Sequence, residues 1–461
     1  MPKKATKKKQ AQDRPAQRKG KSKSKKATRT PKKTTRKTRR TVPKVSAPRA
    51  QADEQSPEER ELAGHLASLE VKDFKSLKSV SVDFGQVNVF VGANGAGKSC
   101  LLEAIGILGA CAAGVVDDQA LLRRGVRPGV PELYKSSFAN ERLAPKISLR
   151  ATSTGGAAYH AYITNSTTNP SPFWKFGNES LIVDGATIAS RAPSGNASAL
   201  GLSVPLENTR SVTTLARASP EAPLVARDLL STLDDFAIFA PVTPVLRAVA
   251  PDSAPRAPVG LYGGQLAEAV GALSTSKSGR AALSRALGLI DWARSIGTGE
   301  PSSKFLSPSV PTSRQVVEFR DRFMASKRNV LSGYDASEGA LFVLFMMVLA
   351  AHTRSPLAFA VDNFDQSLNP RAARALTRAF CEALLAARRQ AFLTTHNPLV
   401  LDGLDLSDER IRLFTVSRNA KGHTKIRRVA VKNLAAAKAK HGEFAVSRLW
   451  VEGRLGGMPS V

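Results

Sequence analysis

Eight consecutive residues, Gly92-Ala93-Asn94-Gly95-Ala96-Gly97-Lys98-Ser99, fit the spacing G-x4-G-K-[ST]. Glycines at these positions let backbone N–H groups turn inward around phosphate oxygens, and a helix starting at the loop adds a favourable dipole. Lys98 is expected to neutralise β- and γ-phosphates and Ser99 to ligate Mg²⁺. Cys100 follows in the first helical turn, so the expected nucleotide-contacting set runs from Gly92 to Cys100. The chemistry is the binding of ATP with Mg²⁺.

Three later clusters narrow the class. The apolar run Leu357–Val361 ends in Asp362, a carboxylate placed to share Mg²⁺ with Ser99. About 23 residues before it, Ser337-Glu338-Gly339 opens an apolar stretch. In isolation this is a core helix capped by Ser337; beside a phosphate loop it offers hydroxyl and N–H groups to an anion. The third cluster, Thr394-Thr395-His396-Asn397, ends the next strand, and His396 there resembles the switch histidine with which ATPases sense the γ-phosphate.

These side chains need particular elements to hold them. Alternating apolar residues predict strands at Leu69–Phe74 and Val80–Phe84, and a more continuous apolar run predicts one at Val87–Val91 before the glycine loop. A helix is expected over Cys100 to about Ala113. Towards the other end the pattern predicts a helix over Ala340–Ala351, a buried strand to Val361 and a helix from about Pro370 to Arg389. A strand at Ala391–Thr395 and a hairpin pairing Ile411–Ser417 with Ile426–Val431 follow. Strands alternating with helices at this spacing predict an α/β fold with a mostly parallel, doubly covered sheet. Between the two regular regions, strand-like pieces at Lys146–Thr152 and Ala157–Thr164 and a helical piece at Glu221–Phe236 predict an antiparallel β lobe and an inserted mixed α/β region.

The order phosphate loop, long insertion, Ser-Glu-Gly, Asp, His resembles the heads of ABC/SMC-class ATPases. More narrowly it resembles the AAA15, OLD-like or RecF-like group. Phe74-Lys75-Ser76-Leu77 through Ser99 reads like that group's opening, and Leu368-Asn369-Pro370 like its D-loop. Leu449-Trp450-Val451-Glu452-Gly453-Arg454-Leu455-Gly456-Gly457 is similar to its C-terminal signature. The resemblance implies an ATP-hydrolysing head that works as a homodimer or higher oligomer. It implies that Ser337, Glu338 and Gly339 of one subunit close on ATP held by the other. It also implies a glutamate after Asp362 as the base, but Asn363 stands there. An amide takes no proton at neutral pH, so a contribution usually worth about 10²–10⁴ in rate is missing unless Asp365 or His396 supplies it. The domain expectation is a tail at 1–57 and a head at 58–461, split as 58–115, 116–330 (insertion or lid) and 331–461.

Charge is unevenly spread. Residues 1–50 hold 21 Lys and Arg against one acid, Asp13, whereas the other 411 residues hold 47 against 37. The first segment contains no aromatic residue and is expected to be disordered, a basic tail for DNA or RNA. Three cysteines with no metal-ligand spacing fit a reducing compartment. The longest apolar run, Ala340–Ala351, is 12 residues where a membrane span needs about 20. A cytoplasmic protein without a membrane partner, possible nucleoid association left open, is therefore expected. No sustained heptads connect the halves, which excludes a coiled-coil arm, and the 65 residues after His396 are too few for a TOPRIM nuclease. The expected function is an ATP switch in a nucleic-acid-linked process, favoured as antiphage defence with a separate effector in trans. RecF-like repair and a non-hydrolysing scaffold are the alternatives. Deletion of residues 1–50 is expected to weaken DNA binding and flatten its salt dependence, by a log–log slope of about 0.9 per lost phosphate contact. Filter binding across a salt series checks this, with unchanged DNA-free ATP turnover expected alongside.

Overall fold

The computed structural model describes residues 62–192, 195–311, 313–430 and 445–455. The basic tail, Gly456 and Gly457 lie outside the described residues. The strands in chain order begin with β1 (Leu66–Phe74), β2 (Leu77–Asp83) and β3 (Val87–Gly92). Next come β4 (Ile147–Ser153), β5 (Ala157–Thr164), β6 (Lys175–Val183), β7 (Ala186–Arg191), β8 (Asn196–Ala199) and β9 (Leu202–Pro205). After them lie β10 (Ile238–Phe239), β11 (Ala293–Gly299), β12 (Val316–Asp321) and β13 (Val330–Ser332). The last four are β14 (Ala358–Val361), β15 (Gln390–Thr395), β16 (Ile411–Arg418) and β17 (Thr424–Arg428).

The expected α/β class is the one the chain adopts. A six-stranded sheet runs β10-β14-β15-β3-β16-β17, with β17 alone antiparallel to its neighbour. Every residue of β3, β14 and β15 is buried. Alternate side chains of these strands feed two separate cores, as a sheet covered on both faces requires. Phe90, Phe392 and Phe414 pack under the helix Lys98–Ala113, whereas Val89, Val91, Leu393 and Val361 pack under the helix Glu338–Ala351. The latter helix is apolar on all sides and buried from Ala340 to Ala350, the pattern of a core helix.

An eight-stranded antiparallel sheet, order β2-β1-β4-β5-β6-β7-β8-β9, covers the other side of the Lys98–Ala113 helix. That helix also packs closely on the helix Leu224–Asp235. At Gly109 an added Cβ would stand 2.3 Å from the Leu233 carbonyl oxygen, so only glycine permits the approach. The stretch 116–330 is woven through the head: it supplies β4–β9 to the antiparallel sheet, β10 to the parallel sheet, and β11 and β12 to a third sheet with β13. Among the described residues no helix is long and apolar enough to cross a membrane.

One buried ion pair ties the antiparallel sheet to its return connection. Arg191 Nε donates to Glu179 Oε2 at 3.0 Å, with side-chain exposures of 1% and 0%. The hydroxyls of Tyr159 and Ser211 donate to the other carboxylate oxygen, and Arg191 also donates to the carbonyls of Leu206, Glu207 and Arg210. Desolvation pushes the Glu179 pKa up, so the cation and these donors are what keep the carboxylate charged. Arg191→Met leaves that carboxylate unpaired and is expected to cost about 3–5 kcal/mol of stability. Urea denaturation checks it; a loss below about 1 kcal/mol contradicts the assignment.

Candidate functional site

The site lies where β3, β14 and β15 end side by side. Register pairs Val361 with Leu393 and Leu393 with Val89, so Asp362, Thr394 and the glycine loop emerge at one edge. There Ser99 Oγ donates to Asp362 Oδ2 at 2.8 Å, joining residues 263 apart in sequence. The Thr394 hydroxyl donates to Asp362 Oδ1, and Thr394 Oγ1 accepts from the Asn363 N–H at 2.9 Å. Both Asp362 oxygens are thus oriented by hydroxyls, one from each flanking motif.

In the glycine loop, Lys98 Nζ donates to its own loop's carbonyls, Gly92 O at 2.8 Å and Ala93 O at 3.1 Å. Burial lowers the Lys98 pKa, while the charges of Asp362 and Asp365 pull it back up. Asn94 and Gly95 are exposed; Ala96, Gly97 and Lys98 are buried; Ser99 and Cys100 are half-buried at the helix start. The loop is braced from outside the motif. Thr424 Oγ1 of β17 lies 2.8 Å from both Ala96 O and Ser76 Oγ, and Thr424 N donates to Ser76 O. Gly97 adopts φ 112°, and a Cβ there would stand 2.2 Å from Thr424 Oγ1. Bracing and glycine are therefore one requirement.

Four residues beyond Ser99, on the same helix face, Glu103 is buried between two cations. Lys75 Nζ reaches Glu103 Oε2 at 2.5 Å and Arg127 Nε reaches Oε1 at 2.8 Å. Hydrogen bonding to Glu103 raises the Arg127 pKa.

Beyond Asp362, Asn363 is exposed at φ 58°. Asn is among the side chains best tolerated in that left-handed region, so backbone geometry supplies a reason for Asn363 independent of catalysis. Asp365 Oδ1 accepts from Thr395 Oγ1 at 2.6 Å, and its Oδ2 lies 3.9 Å from His396 Nε2. His396 is half exposed and Asp365 nearly buried. Asp365 and His396, named separately from sequence, thus form a pair.

Ser337 caps its helix as expected, its exposed hydroxyl accepting from Ala340 N at 3.4 Å. Glu338 accepts from the hydroxyl of Ser367, which lowers its pKa. An added Cβ at Gly339 would sit 3.2 Å from Ser367 O. The Ser-Glu-Gly turn therefore touches the loop that follows Asp362 in the same chain. Asn369 closes that loop by accepting from Ala372 N, with Pro370 at the first helical position.

Sequence reasoning missed Thr394, Thr424 and the Lys75–Glu103–Arg127 cluster. Thr394 had a signal, a hydroxyl ending a buried strand beside an acid-bearing one. Thr424 and Arg127 had none, since neither belongs to a local pattern.

Two segments of the chain match family profiles. Residues 65–117 match the profile of the AAA ATPase domain (AAA_15), and residues 300–402 that of an AAA domain described as putative AbiEii toxin, Type IV TA system (AAA_21). Together they span about a third of the chain. No curated protein matches it. Among solved structures, an Smc head bound to the C-winged helix domain of ScpA is 15% identical, covering 80% of this chain and 99% of that one, with a TM-score of 0.46. The SMC head domain from Thermotoga maritima is 15% identical over 80% of this chain and 100% of its own, TM-score 0.41. An Smc head with an extended coiled coil, bound to the C-terminal domain of ScpA and derived from Pyrococcus furiosus, is 13% identical over 82% and 100%, TM-score 0.43. The matched segments carry the glycine loop and the Ser337–Asp362–His396 region, and over those segments the chain is similar to AAA ATPase domains.

Lys98→Ala is expected to abolish ATP binding without unfolding the protein. Thr394→Val removes a hydrogen bond to a charged group, worth about 1.5–3 kcal/mol, and is expected to weaken Mg²⁺-dependent ATP affinity at least about tenfold. Calorimetry with Mg²⁺ and with chelator checks both; unchanged affinities contradict the site.

Proposed function

We propose that this chain is a slow ATP switch that closes on a second copy of itself in a nucleic-acid-linked process, antiphage defence with a separate effector. The observation that carries the reading is an oriented Asp362 carboxylate with an amide, not a carboxylate, at the following position. Nucleotide binding is thereby favoured over rapid hydrolysis.

The donor set fits ATP with Mg²⁺. Gly92 to Cys100 would hold the phosphates, and Ser99 with Asp362 would offer hydroxyl and carboxylate oxygens, the donors that Mg²⁺ takes. When bound, Mg²⁺ supplies charge neutralisation on the phosphates. Lys98 would add a cation, and the closeness of Asp365 to His396 supports a role for them in orienting water in place of a glutamate at 363.

Closure in trans is supported by the Ser337–Gly339 turn. Its serine is exposed at a helix start, where N–H groups favour anions. Its contact with Ser367 links that turn to the loop after Asp362. The defence assignment is supported by the toxin-related description of the family matched at 300–402, and the nucleic-acid link by the basic first 50 residues.

Turnover is expected at about 1 s⁻¹ or below, the bottom of the usual enzyme range. Asn363→Glu is expected to speed it, against a backbone cost of roughly 1–2 kcal/mol for φ near +58°. Ser337→Arg is expected to keep ATP binding and lose ATP-dependent dimerisation and turnover. Steady-state phosphate release with light scattering checks these. A fast wild type, or a Ser337→Arg protein that dimerises and hydrolyses normally, contradicts the reading.

A further inference from the structure

The third sheet carries a hairpin that the nucleotide chemistry does not use. Strands β12 and β13 pair antiparallel, with Arg320 opposite Val330, and the connection between them projects a phenyl ring into solvent. Phe323 is 80% exposed and Met324 44%. The tip is nonetheless built. Asp321 Oδ1 accepts from the N–H groups of Phe323 at 2.7 Å and Met324 at 3.0 Å. Asp321 N donates to Asn329 O at 2.8 Å, and Arg328 N to Ala325 O at 2.8 Å. The base rests on Trp292 and Phe319, whose rings are 5.2 Å apart.

Cations are frequent in the connection and on the strands that flank it. Arg294 on the neighbouring strand, Arg320 on β12, and Arg322, Lys327 and Arg328 in the connection are all exposed. Arg322 is held in place by donating to Ala293 O at 3.0 Å, and its guanidinium lies 5.9 Å from the Phe323 ring. The nearby acids are fewer. Asp321 is engaged by the two backbone N–H groups, Glu318 is half-buried in β12, and Asp291 is exposed beside Trp292.

An exposed aromatic ring on a hairpin that, with its neighbouring strand, carries five exposed cations has the composition of a surface for unpaired nucleic acid, where bases stack on aromatic faces and phosphates meet Lys and Arg. A protein-docking core is instead depleted of charge. We propose that the β12–β13 hairpin binds single-stranded nucleic acid, with a base stacked on Phe323 and backbone phosphates on Arg294, Arg320, Lys327 and Arg328. The hairpin's return strand ends at Ser332, five residues before Ser337. The proposal uses none of residues 1–50 and does not rest on the ATP-switch reading.

The test uses the full chain without nucleotide, measuring fluorescence anisotropy of a labelled oligothymidylate and of a matched duplex. Phe323→Ala is expected to weaken single-strand binding about tenfold, roughly 1.4 kcal/mol, and leave duplex binding unchanged. Arg320→Ser with Arg328→Ser is expected to flatten the single-strand salt dependence by about 0.7 per cation. A 5-iodouracil oligonucleotide is expected to crosslink to the peptide Phe323–Lys327. Unchanged single-strand affinity in Phe323→Ala, equal losses on single strand and duplex, or crosslinks confined to residues 1–50 would each overturn the proposal. The exposure of Phe323 means its removal takes nothing from the core, so loss of binding is not loss of fold.

Discussion

Everything at the nucleotide site depends on how the carboxylate of Asp362 is held. One oxygen takes the Ser99 hydroxyl and the other that of Thr394, so three distant stretches of chain converge on two atoms. A carboxylate with both oxygens committed has little rotational freedom left, and the metal-binding role proposed for it requires such orientation. The convergence in turn requires β14, β15 and β3 to be adjacent and parallel, because only then do their ends meet at one edge. The buried, β-branched and aromatic residues of those strands specify that adjacency. Either strand shifted by one residue would send Phe90 or Phe392 into the opposite core.

The same sheet links nucleotide binding to the surface. The helix behind Ser337 is buried along its length, so Ser337 is fixed by packing rather than by loop contacts. Glu338 meets Ser367, which lies in the short connection between Asp362 and the Asn369-capped helix. A displacement at Asp362 therefore has a two-contact route to the Ser337 turn. On the other flank, Thr424 braces the glycine loop against Ser76, tying the last strand of the parallel sheet to the first hairpin of the antiparallel one.

Much of this was legible in the sequence, for identifiable reasons. The loop Gly92–Ser99, Asp362, Ser337 and His396 each sit at the end of a strongly patterned element, and strand ends with known motifs carry their address with them. The helix Glu338–Ala351 and strand β5 were visible from composition and alternation. The two-residue strand β10 was not, because pairing with β14 is a tertiary fact that two residues cannot encode as a period. The second hairpin strand begins at Thr424, two residues before the expected Ile426, because its apolar pattern starts after the polar threonine that braces the glycine loop. Thr394 belongs to the Thr-Thr-His-Asn cluster, but only the sheet order reveals that its hydroxyl faces Asp362.

The central claim is that a complete site takes its glycine loop from one chain and its serine from another. Mixing two inactive variants tests this directly: Lys98→Ala keeps Ser337 but cannot bind ATP, and Ser337→Arg keeps the loop but cannot complete a partner's site. A composite site predicts that phosphate release in the mixture exceeds that of either variant alone and peaks near equal amounts. Release that merely interpolates between the two variants would contradict it.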